Sequence, residues 1–262
     1  MKYGFIGCGN MGSALASALS KSGNEILLSD HTESKALQLA EKLNCKASQN
    51  VDIANECDII FLAVKPQSLE KTVSEIKSII SDRKPVIVTM AAGVKLKKIE
   101  SLAGCNLPVI RIMPNTPVAV GRGVVLYCYN NLVDENTLSN FIKDLSFAGA
   151  FEKLPESLMD IGCAVSGCGP AYMYMFVDAI ANSAEKNGLD REQAVKLAAL
   201  TMSGAAEMVL QSDKTPEELK IAVCSPGGST IEGVKVLESE SFKKITENAI
   251  DAAYNRNVEL GK

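Results

Sequence analysis

The chain has 262 residues, of which 47% are hydrophobic and 22% are charged, and its formal net charge is −4 at pH 7. This size allows one large domain or two modest ones, with ample room for a hydrophobic core. The acidic balance and the lack of a Lys/Arg-rich run argue against a nucleic-acid surface. The first predicted strand starts almost at Met1, so no signal or transit peptide is expected.

Cysteine and histidine content bear on metal binding and on the redox compartment. The eight cysteines are scattered without a C-x-x-C pair, and His31 is the only histidine. A zinc site is therefore not expected, and buried free thiols in a reducing cytoplasm are the favoured interpretation. A single histidine also weakens any mechanism that needs a histidine general base.

The first twelve residues carry the pattern typical of a dinucleotide-binding turn. An apolar run over residues 2–6 predicts a strand, and periodicity predicts a helix over residues 13–22. Between them, Gly7, Gly9 and Gly12 form G-x-G-x-x-G. These glycines would permit a tight turn, the approach of a pyrophosphate, and close packing of the helix on the strand, respectively. The alternative is a glycine-rich turn that binds no ligand.

Strands and helices then alternate along the first part of the chain. Strands are predicted over residues 25–29, 58–64, 85–89, 108–112, 123–129 and 149–153, and helices over residues 32–43, 66–80, 94–102 and 135–147. This alternation predicts an α/β fold with an N-terminal Rossmann-like, doubly wound parallel sheet.

The sequence after residue 154 shows no strand-like run. Two helices, over residues 170–186 and 191–210, carry apolar side chains nearly all round and must be buried on every side. Polar residues interrupt both, so neither reaches the ~20 apolar residues of a membrane span. An intertwined dimer would bury them. The predicted division is a dinucleotide-binding domain, residues 1–154, followed by an all-helical dimerisation and substrate domain, residues 155–262.

Asp30 stands at the end of the second predicted strand, where an acid commonly binds the adenosine ribose hydroxyls. A carboxylate there would repel a 2′-phosphate and favour NAD(H), whereas Ser29, His31 and Thr32 could help to hold a phosphate. An equally open interpretation makes Asp30 the N-cap of the next helix. The choice between NADH and NADPH therefore stays open.

Small and polar residues follow the next strands at their carboxyl ends, where open α/β sheets bind ligands. Residues 63–66 could line the nicotinamide ribose, with Lys65 either offsetting a phosphate or substrate charge or lying solvated in the loop. Residues 91–93 are small enough to leave room for the nicotinamide ring. Asn115 has an amide free to bond either backbone or ligand.

A second glycine turn lies far downstream, at residues 224–233. Pro226, Gly227 and Gly228 predict a turn. Ser229 and Glu232 fit a capping box that opens a helix over residues 231–240. This turn also offers two glycines, two hydroxyls and a helix N-terminus, which together would form an anion cradle for a small carboxylate.

Taken together, these stretches resemble the pyrroline-5-carboxylate reductases over essentially the whole chain. The resemblance rests on residues 4–12, 61–66, 113–117 and 166–172, and on the run from Thr215 and Pro216 through residues 225–233 to Leu237 and Glu238. The first motif is generic to dinucleotide binders, whereas the last two, in this order and spacing, are specific to the family. Where family members carry a second serine in Ser-Gly-Ser-Gly-Pro-Ala, this chain has Cys168.

The resemblance implies hydride transfer from NADPH or NADH to the ring C=N of 1-pyrroline-5-carboxylate, giving L-proline in the last step of proline biosynthesis. It also implies a cytoplasmic enzyme whose helical domain interlocks in a homodimer, often assembled further into decamers. Thr230 would be the catalytic residue, with its hydroxyl within reach of the ring nitrogen. Neither a metal, a nucleic acid nor a membrane is expected as a partner.

The motifs and the resemblance together give two sets of site residues. The cofactor is expected to contact Ile6, Gly7, Cys8, Gly9, Asn10, Met11, Gly12, Asp30, Asn50, Ala63, Val64, Lys65, Pro66, Ala91 and Ala92. The substrate is expected to contact Glu156, Ser225, Gly228, Ser229 and Thr230.

Two other functions are alternatives. A β-hydroxyacid dehydrogenase also joins a dinucleotide domain to helices, but it needs a lysine in G-x-x-x-K-x-x-x-N on the interdomain helix. Here no lysine follows Gly167 before Lys186. A non-catalytic dinucleotide sensor would need no substrate cradle, so residues 225–230 count against it.

Overall fold

A computed structural model describes residues 1–261 and contains an eight-stranded sheet. Its strands in chain order are β1 (Lys2–Ile6), β2 (Glu25–Ser29), β3 (Lys46–Ala47), β4 (Ile59–Leu62), β5 (Val86–Thr89), β6 (Val109–Pro114), β7 (Gly123–Tyr129) and β8 (Gly149–Lys153). They lie in the order β3-β2-β1-β4-β5-β6-β7-β8. Every pair from β3 to β6 is parallel, which confirms the predicted Rossmann-like sheet.

The sheet reverses direction at β7. Strands β6 and β7 pair antiparallel, with Ile112 opposite Tyr127, and β8 then runs parallel to β7. Residues 115–122 alone join β6 to β7. This connection is too short for the crossover of roughly a dozen residues or more that a parallel neighbour requires. The sheet is therefore mixed at this edge, where the sequence analysis expected a parallel one.

Seven α-helices within residues 1–168 accompany this sheet. They are α1 (Asn10–Leu19), α2 (Glu33–Leu43), α3 (Asn50–Glu56), α4 (Pro66–Arg83), α5 (Leu96–Ala103), α6 (Glu135–Asp144) and α7 (Met159–Gly162). Helix α1 begins inside the glycine motif, three residues earlier than predicted, because Gly9 is the residue that takes the extended N-cap conformation. Helix α3 and strand β3 are short elements that the periodicity did not predict.

The sheet carries an apolar core on each face. Along β4, Ile59 and Phe61 join one buried cluster, whereas Ile60 and Leu62 join the other. In the first cluster the rings of Phe5 and Phe61 stack with their centroids 4.2 Å apart. All four residues of β4 are at most 1% exposed. This burial on both faces explains why β4 appears in the sequence as a continuous apolar run rather than an alternating one.

Contacts along the chain divide it into two compact units. Unit 1 comprises Met1–Cys168 together with the end of the chain from Ala253, and unit 2 comprises Gly169–Ala252. Both ends of the chain therefore belong to unit 1. The predicted domain division after residue 154 was based on the change in sequence pattern, not on contacts, and it stays a prediction.

The helices that follow residue 168 are α8 (Gly169–Lys186), α9 (Arg191–Gln211), α10 (Pro216–Ala222), α11 (Ser229–Ser239) and α12 (Phe242–Leu260). The sequence predicted α8, α9 and α11 but neither α10 nor α12. None of the described helices is long and apolar enough to cross a membrane.

Helices α8 and α9 expose large apolar side chains in the single chain. Met175 is 72% exposed, Leu200 61% and Leu210 81%. Exposed large apolar side chains in such number are characteristic of an interaction face. The burial on every side that the sequence predicted for these helices is therefore not reached within one chain.

Candidate active site

Each glycine of the turn after β1 has different surroundings. Gly7 has a φ of +112°, and a Cβ there would lie 2.4 Å from the carbonyl oxygen of Ala63. A Cβ on Gly12 would lie 2.3 Å from the carbonyl oxygen of Gly7. A Cβ on Gly9, in contrast, would meet no atom of the described chain within 4 Å. The fold itself requires Gly7 and Gly12, whereas the open space at Gly9 suits the approach of a ligand.

This difference gives a matched pair of variants. Gly9→Ala is expected to cost less than about 1 kcal/mol of unfolding free energy, because Gly9 is the N-cap of α1 and Ala is a poorer cap. It is expected to weaken NADPH and NADH binding about tenfold or more, because the new methyl group occupies the space of the ligand. Gly12→Ala is expected to destabilise the protein by about 1–3 kcal/mol, because its methyl group meets backbone. Urea unfolding and fluorescence titration of the reduced nicotinamide check both results. Equal destabilisation by the two variants would contradict the assignment.

Asp30 is bound to the glycine turn through its side chain. One carboxylate oxygen accepts the Cys8 backbone N–H at 2.7 Å, and the other accepts the Thr32 N–H at 2.9 Å. The His31 ring nitrogen Nδ1 lies 3.0 Å from the same carboxylate, whose side chain is 8% exposed. Asp30 is not the N-cap of α2, because Thr32 holds that position. The N-cap interpretation is therefore wrong, and the Cys8 N–H is already engaged within the protein.

These hydrogen bonds control the ionisation of Asp30. Burial acts to raise its pKa, but the N–H groups of Thr32 and Cys8 stabilise the charged form, and the pKa is held below its ordinary value of 3.8. A carboxyl group with a lowered pKa contributes stability above its unfolded-state pKa, and this contribution is lost as the pH falls through the folded-state pKa.

Asp30→Asn is therefore expected to lower the free energy of unfolding by about 1–2 kcal/mol at pH 7, in the absence of cofactor. The deficit relative to wild type should shrink as the pH falls below about 4, because wild type then loses the same charge. Urea unfolding at a series of pH values measures this difference. A deficit that stays constant from neutral to acidic pH would contradict the role of the charge.

A cleft of about 570 Å³ lies beside Asp30 on the carboxyl side of the sheet. Predicted cofactor residues that line it are Ile6, Gly7, Asp30, Asn50 and Val64. The side chain of Asn50 accepts the Ser29 hydroxyl at 2.6 Å and donates to Glu75 at 2.8 Å. The structure therefore brings Gly7, Asp30 and Asn50 into one cleft.

Sequence analysis missed part of the lining of this cleft. Ser68, Lys71 and Glu75 of α4 contribute to it. Their spacing of three and four residues places them on one helix face, and this spacing is the signal that could have identified them. Lys71 adds a positive charge to the cleft.

The remaining cofactor residues of the first two loops lie close to the glycine turn. Burial raises the pKa of the Cys8 thiol to about 12, so the thiol stays protonated at neutral pH. Asn10 and Met11 are the first residues of α1. The Ala63 N–H donates to the carbonyl oxygen of Ile6 at 2.8 Å, which continues the pairing of β1 with β4 into the loop. Exposed Lys65 precedes α4, which Pro66 opens.

The loop after β5 holds Ala91 and Ala92. Ala91 is 4% exposed, and its carbonyl oxygen accepts the Val94 N–H at 3.2 Å. The loop leads into α5, whose first N–H, that of Leu96, donates to Oε1 of Glu156 at 2.7 Å. Glu156, which belongs to unit 1, thus accepts one of the free N–H groups at the N-terminus of α5. Its expected contact with substrate stays a prediction.

Arg111 of β6 forms a buried ion-pair cluster next to this loop. Its guanidinium is 1% exposed and lies 3.0 Å from Oδ1 of Asp160 and 3.6 Å from Oε1 of Glu156. Its Nε has no hydrogen-bond partner within residues 1–261. Sequence reasoning missed this pairing, because Asp160 lies 49 residues further along the chain.

The amide of Asn115 bonds to backbone at both ends. Its Nδ2 donates to the carbonyl oxygen of Ser166 at 3.0 Å, and its Oδ1 accepts the Val124 N–H at 2.9 Å. Ser166 lies in a π-helical turn, Cys163–Gly167, in which the Cys168 N–H donates to the carbonyl oxygen of Cys163. Of the two partners left open from the sequence, backbone or ligand, the structure shows backbone.

The second glycine turn lies in unit 2 and opens α11. Gly227 has a φ of +71°, and the Gly228 N–H donates to the carbonyl oxygen of Ser225 at 3.0 Å. Gly228 is the N-cap, so α11 begins at Ser229, and no side-chain cap forms. The predicted capping box is therefore wrong, and the helix starts two residues earlier than expected.

Because α11 starts early and has no side-chain cap, the hydroxyl groups at its N-terminus have no partner in the described chain. Ser229 and Thr230 are exposed, and their hydroxyls make no hydrogen bond to the described part of the chain. Glu232, the expected partner in the box, pairs with Lys235 at 2.7 Å instead. The N-terminus of an eleven-residue helix and two unused hydroxyls together can accept a small anion.

Known proteins match both parts of the chain. A family model described as "NADP oxidoreductase coenzyme F420-dependent" matches residues 2–93. Another, described as "Pyrroline-5-carboxylate reductase dimerisation", matches residues 156–260. The pyrroline-5-carboxylate reductase of Escherichia coli (strain K12) is 36% identical to this chain, and the match covers 100% of this chain and 98% of the relative. The chain belongs to the pyrroline-5-carboxylate reductase family.

Solved structures of pyrroline-5-carboxylate reductases match equally fully. The Plasmodium falciparum pyrroline carboxylate reductase with NADP bound has a TM-score of 0.89 at 33% identity and covers 100% of both chains. The pyrroline-5-carboxylate reductase of Coxiella burnetii has a TM-score of 0.91 at 32% identity, covering 99% of this chain and 98% of that one. The resemblance found in the sequence is confirmed.

The predicted site residues fall in both compact units. The predicted cofactor residues all lie in unit 1, as does Glu156, whereas Ser225, Gly228, Ser229 and Thr230 lie in unit 2. The contacts of each residue with cofactor or substrate stay predictions. Within residues 1–261, no group of three His, Cys, Asp or Glu side chains is arranged to hold a metal ion.

Proposed function

We propose that this chain catalyses the NAD(P)H-dependent reduction of 1-pyrroline-5-carboxylate to L-proline, the last step of proline biosynthesis. The observation that carries the proposal is the opening of α11, where Ser229 and Thr230 present hydroxyls that no described residue uses. A non-catalytic dinucleotide sensor would have no need of such a cradle. Membership of the family supports the same conclusion.

The cofactor-binding residues fit a dinucleotide. The open space at Gly9 admits a pyrophosphate to the backbone, and the cleft beside Asp30 takes the adenosine end. The loops at residues 63–66 and 91–92 line the nicotinamide end. A reduced nicotinamide bound there supplies the hydride.

Two charged residues around the adenosine end have opposite effects on the choice between NADH and NADPH. The Asp30 carboxylate repels a 2′-phosphate, whereas Lys71 in the same cleft attracts one. Both cofactors are therefore included in the assay.

The substrate carboxylate is bound by the turn at residues 225–230, through the N–H groups that open α11 and the two hydroxyls. The reaction adds a hydride to the imine carbon and a proton to the nitrogen, so the C=N bond becomes a C–N single bond. A protonated imine is already electrophilic, and orientation with exclusion of water supplies most of the acceleration. Water supplies the proton that converts the imine to the iminium, and the Thr230 hydroxyl accepts a hydrogen bond from the iminium N–H and so orients the ring.

Oxidation of NADPH and of NADH by the purified full-length chain, followed by absorbance with 1-pyrroline-5-carboxylate present, tests the function. Substrate-dependent oxidation with formation of proline is expected. A 3-hydroxy acid with NAD⁺ is the comparison for the β-hydroxyacid dehydrogenase alternative and should show no turnover. Tight cofactor binding without turnover of either substrate would overturn the proposal in favour of a sensor.

The working form is a homodimer, with decamers as a further level of assembly, in the cytoplasm. A dimerisation family model over residues 156–260 and the exposed apolar side chains of α8 and α9 support the dimer. Eight free cysteines support a reducing compartment. Light scattering in solution should give twice the mass of the chain or a higher even multiple of it, and a monomer would contradict this assembly.

A further inference from the structure

The end of α12 lies against the loop that follows β5. Gly93 in this loop has a φ of +75°, and a Cβ there would lie 2.6 Å from the carbonyl oxygen of Leu260 and 2.7 Å from the backbone nitrogen of Gly261. The contact is therefore made by backbone on backbone. It belongs entirely to unit 1, because the chain from Ala253 onward is part of that unit.

The fit is tight from both sides. A Cβ on Gly261 would lie 3.2 Å from the carbonyl oxygen of Gly93 and 3.5 Å from its Cα. Two glycines, far apart in the sequence, thus let two backbone segments approach more closely than any pair of side-chain-bearing residues could. Such an approach restricts how the loop can move.

A second contact anchors the same end of α12. Nδ2 of Asn257 donates to the carbonyl oxygen of Asp160 at 3.0 Å. The side chain of Asp160 is held in turn by Arg111 at 3.0 Å. The last turn of α12 is therefore fixed to the buried ion-pair cluster as well as to the loop.

The far end of the loop is fixed by the same cluster. Glu156, which lies 3.6 Å from Arg111, accepts the Leu96 N–H where the loop enters α5. The loop that contains Ala91 and Ala92 is thus held at Gly93 by the chain end and at Leu96 by Glu156. Free movement of this loop would require both contacts to break.

We propose that residues 257–261, the last turn of α12 together with Gly261, are a positioning element for the nicotinamide end of the cofactor site. This inference rests on the proposed function, which places the nicotinamide beside Ala91 and Ala92. By holding the loop in one conformation, the chain end restricts the orientations of the ring without touching the reacting atoms. Its removal affects kcat more than the KM for cofactor, because the adenosine end keeps its own contacts.

Deletion of residues 259–262 from the full chain tests the proposal. We expect kcat to fall about tenfold while the KM for NADPH or NADH changes less than about twofold. In the cofactor-free protein, hydrogen exchange of the Val94 and Leu96 amides should become about tenfold faster. Arg256→Ala, which removes an exposed side chain one turn earlier in α12, is the control and should leave kcat unchanged.

Unchanged exchange at Val94 and Leu96 would overturn the proposal, and so would faster exchange with an unchanged kcat. The exchange measurement needs no turnover. If wild type fails to reduce 1-pyrroline-5-carboxylate, the proposed function fails, while the exchange still reports whether the chain end fixes the loop.

A double-mutant cycle isolates the contact itself. Gly93→Ala should lower the urea midpoint of the full chain more than Gly23→Ala does, because Gly23 has nearly the same φ of +78° but no atom within 4 Å of a Cβ. In the chain lacking residues 259–262, Gly93→Ala should cost no more than Gly23→Ala, because the opposing backbone is gone. Equal costs of Gly93→Ala in both backgrounds would contradict the contact.

Discussion

Thr230→Ala is expected to lower kcat/KM for 1-pyrroline-5-carboxylate about a hundredfold, with little change in cofactor affinity. A hydrogen bond to a charged group contributes about 1.5–3 kcal/mol, which corresponds to a factor of about 10 to 150 in rate. Because the Thr230 hydroxyl is exposed and has no partner within the described chain, its loss should leave the free energy of unfolding unchanged. Steady-state kinetics measure kcat/KM, and fluorescence titration of the reduced cofactor measures its affinity.

Thr230→Ser is the matched control for this prediction. It keeps the hydroxyl and removes one methyl group, so kcat/KM should stay within about threefold of wild type. If Thr230→Ala turned over at the wild-type rate, the hydroxyl would have no part in orienting the imine. If both variants lost activity equally, the methyl group rather than the hydroxyl would be responsible.

Arg111→Met is expected to lower the free energy of unfolding by about 3–5 kcal/mol, the largest loss of stability predicted for this chain. The substitution keeps an unbranched apolar side chain in the core but leaves Asp160 and Glu156 without their counter-charge. Asp160 is 20% and Glu156 31% exposed, so water offsets part of this cost, which places the expected value at the lower end of the range. Urea unfolding monitored by circular dichroism measures it.

Further variants separate two causes of the lost stability in Arg111→Met, uncompensated charge and loss of side-chain volume. Adding Asp160→Asn and Glu156→Gln to Arg111→Met removes the uncompensated charges and should recover most of the lost stability. Arg256→Met is the exposed control, since its partner Glu259 is 58% exposed, and it should cost less than about 1 kcal/mol. No recovery in the triple variant would show that packing, not charge, stabilises the cluster.

The elements with strong periodicity were predictable from the sequence, because glycine spacing and apolar runs follow from local geometry. Strand β4 and the glycine turn are the clearest cases. Helix α12 was missed although Phe242, Ile245 and Ala249 follow a spacing of three and four residues, which is the signal that could have identified it. The antiparallel step from β6 to β7 follows from the length of the connection and could have been predicted.

The site could be predicted only where its residues are neighbours in the sequence. The turn at residues 225–230 was located correctly as a helix opening, but its first helical residue was misjudged because Gly228, rather than a side chain, takes the N-cap position. Asp30 was placed at the strand end, yet its two N–H partners depend on how the glycine turn folds back. The cluster of Arg111 with Asp160 joins distant segments, and such pairings need the three-dimensional fold.

The return of the chain end to unit 1 has a consequence for synthesis on the ribosome. In the sequence, unit 2 is an insertion in unit 1. Unit 1 begins at Met1 and is completed by the chain from Ala253 onward. A nascent chain can therefore form the sheet early, but the loop at Gly93 acquires its contact with α12 only after Leu260 and Gly261 have left the exit tunnel. The order of translation thus delays the mature conformation of this loop until residues 260 and 261 have been made.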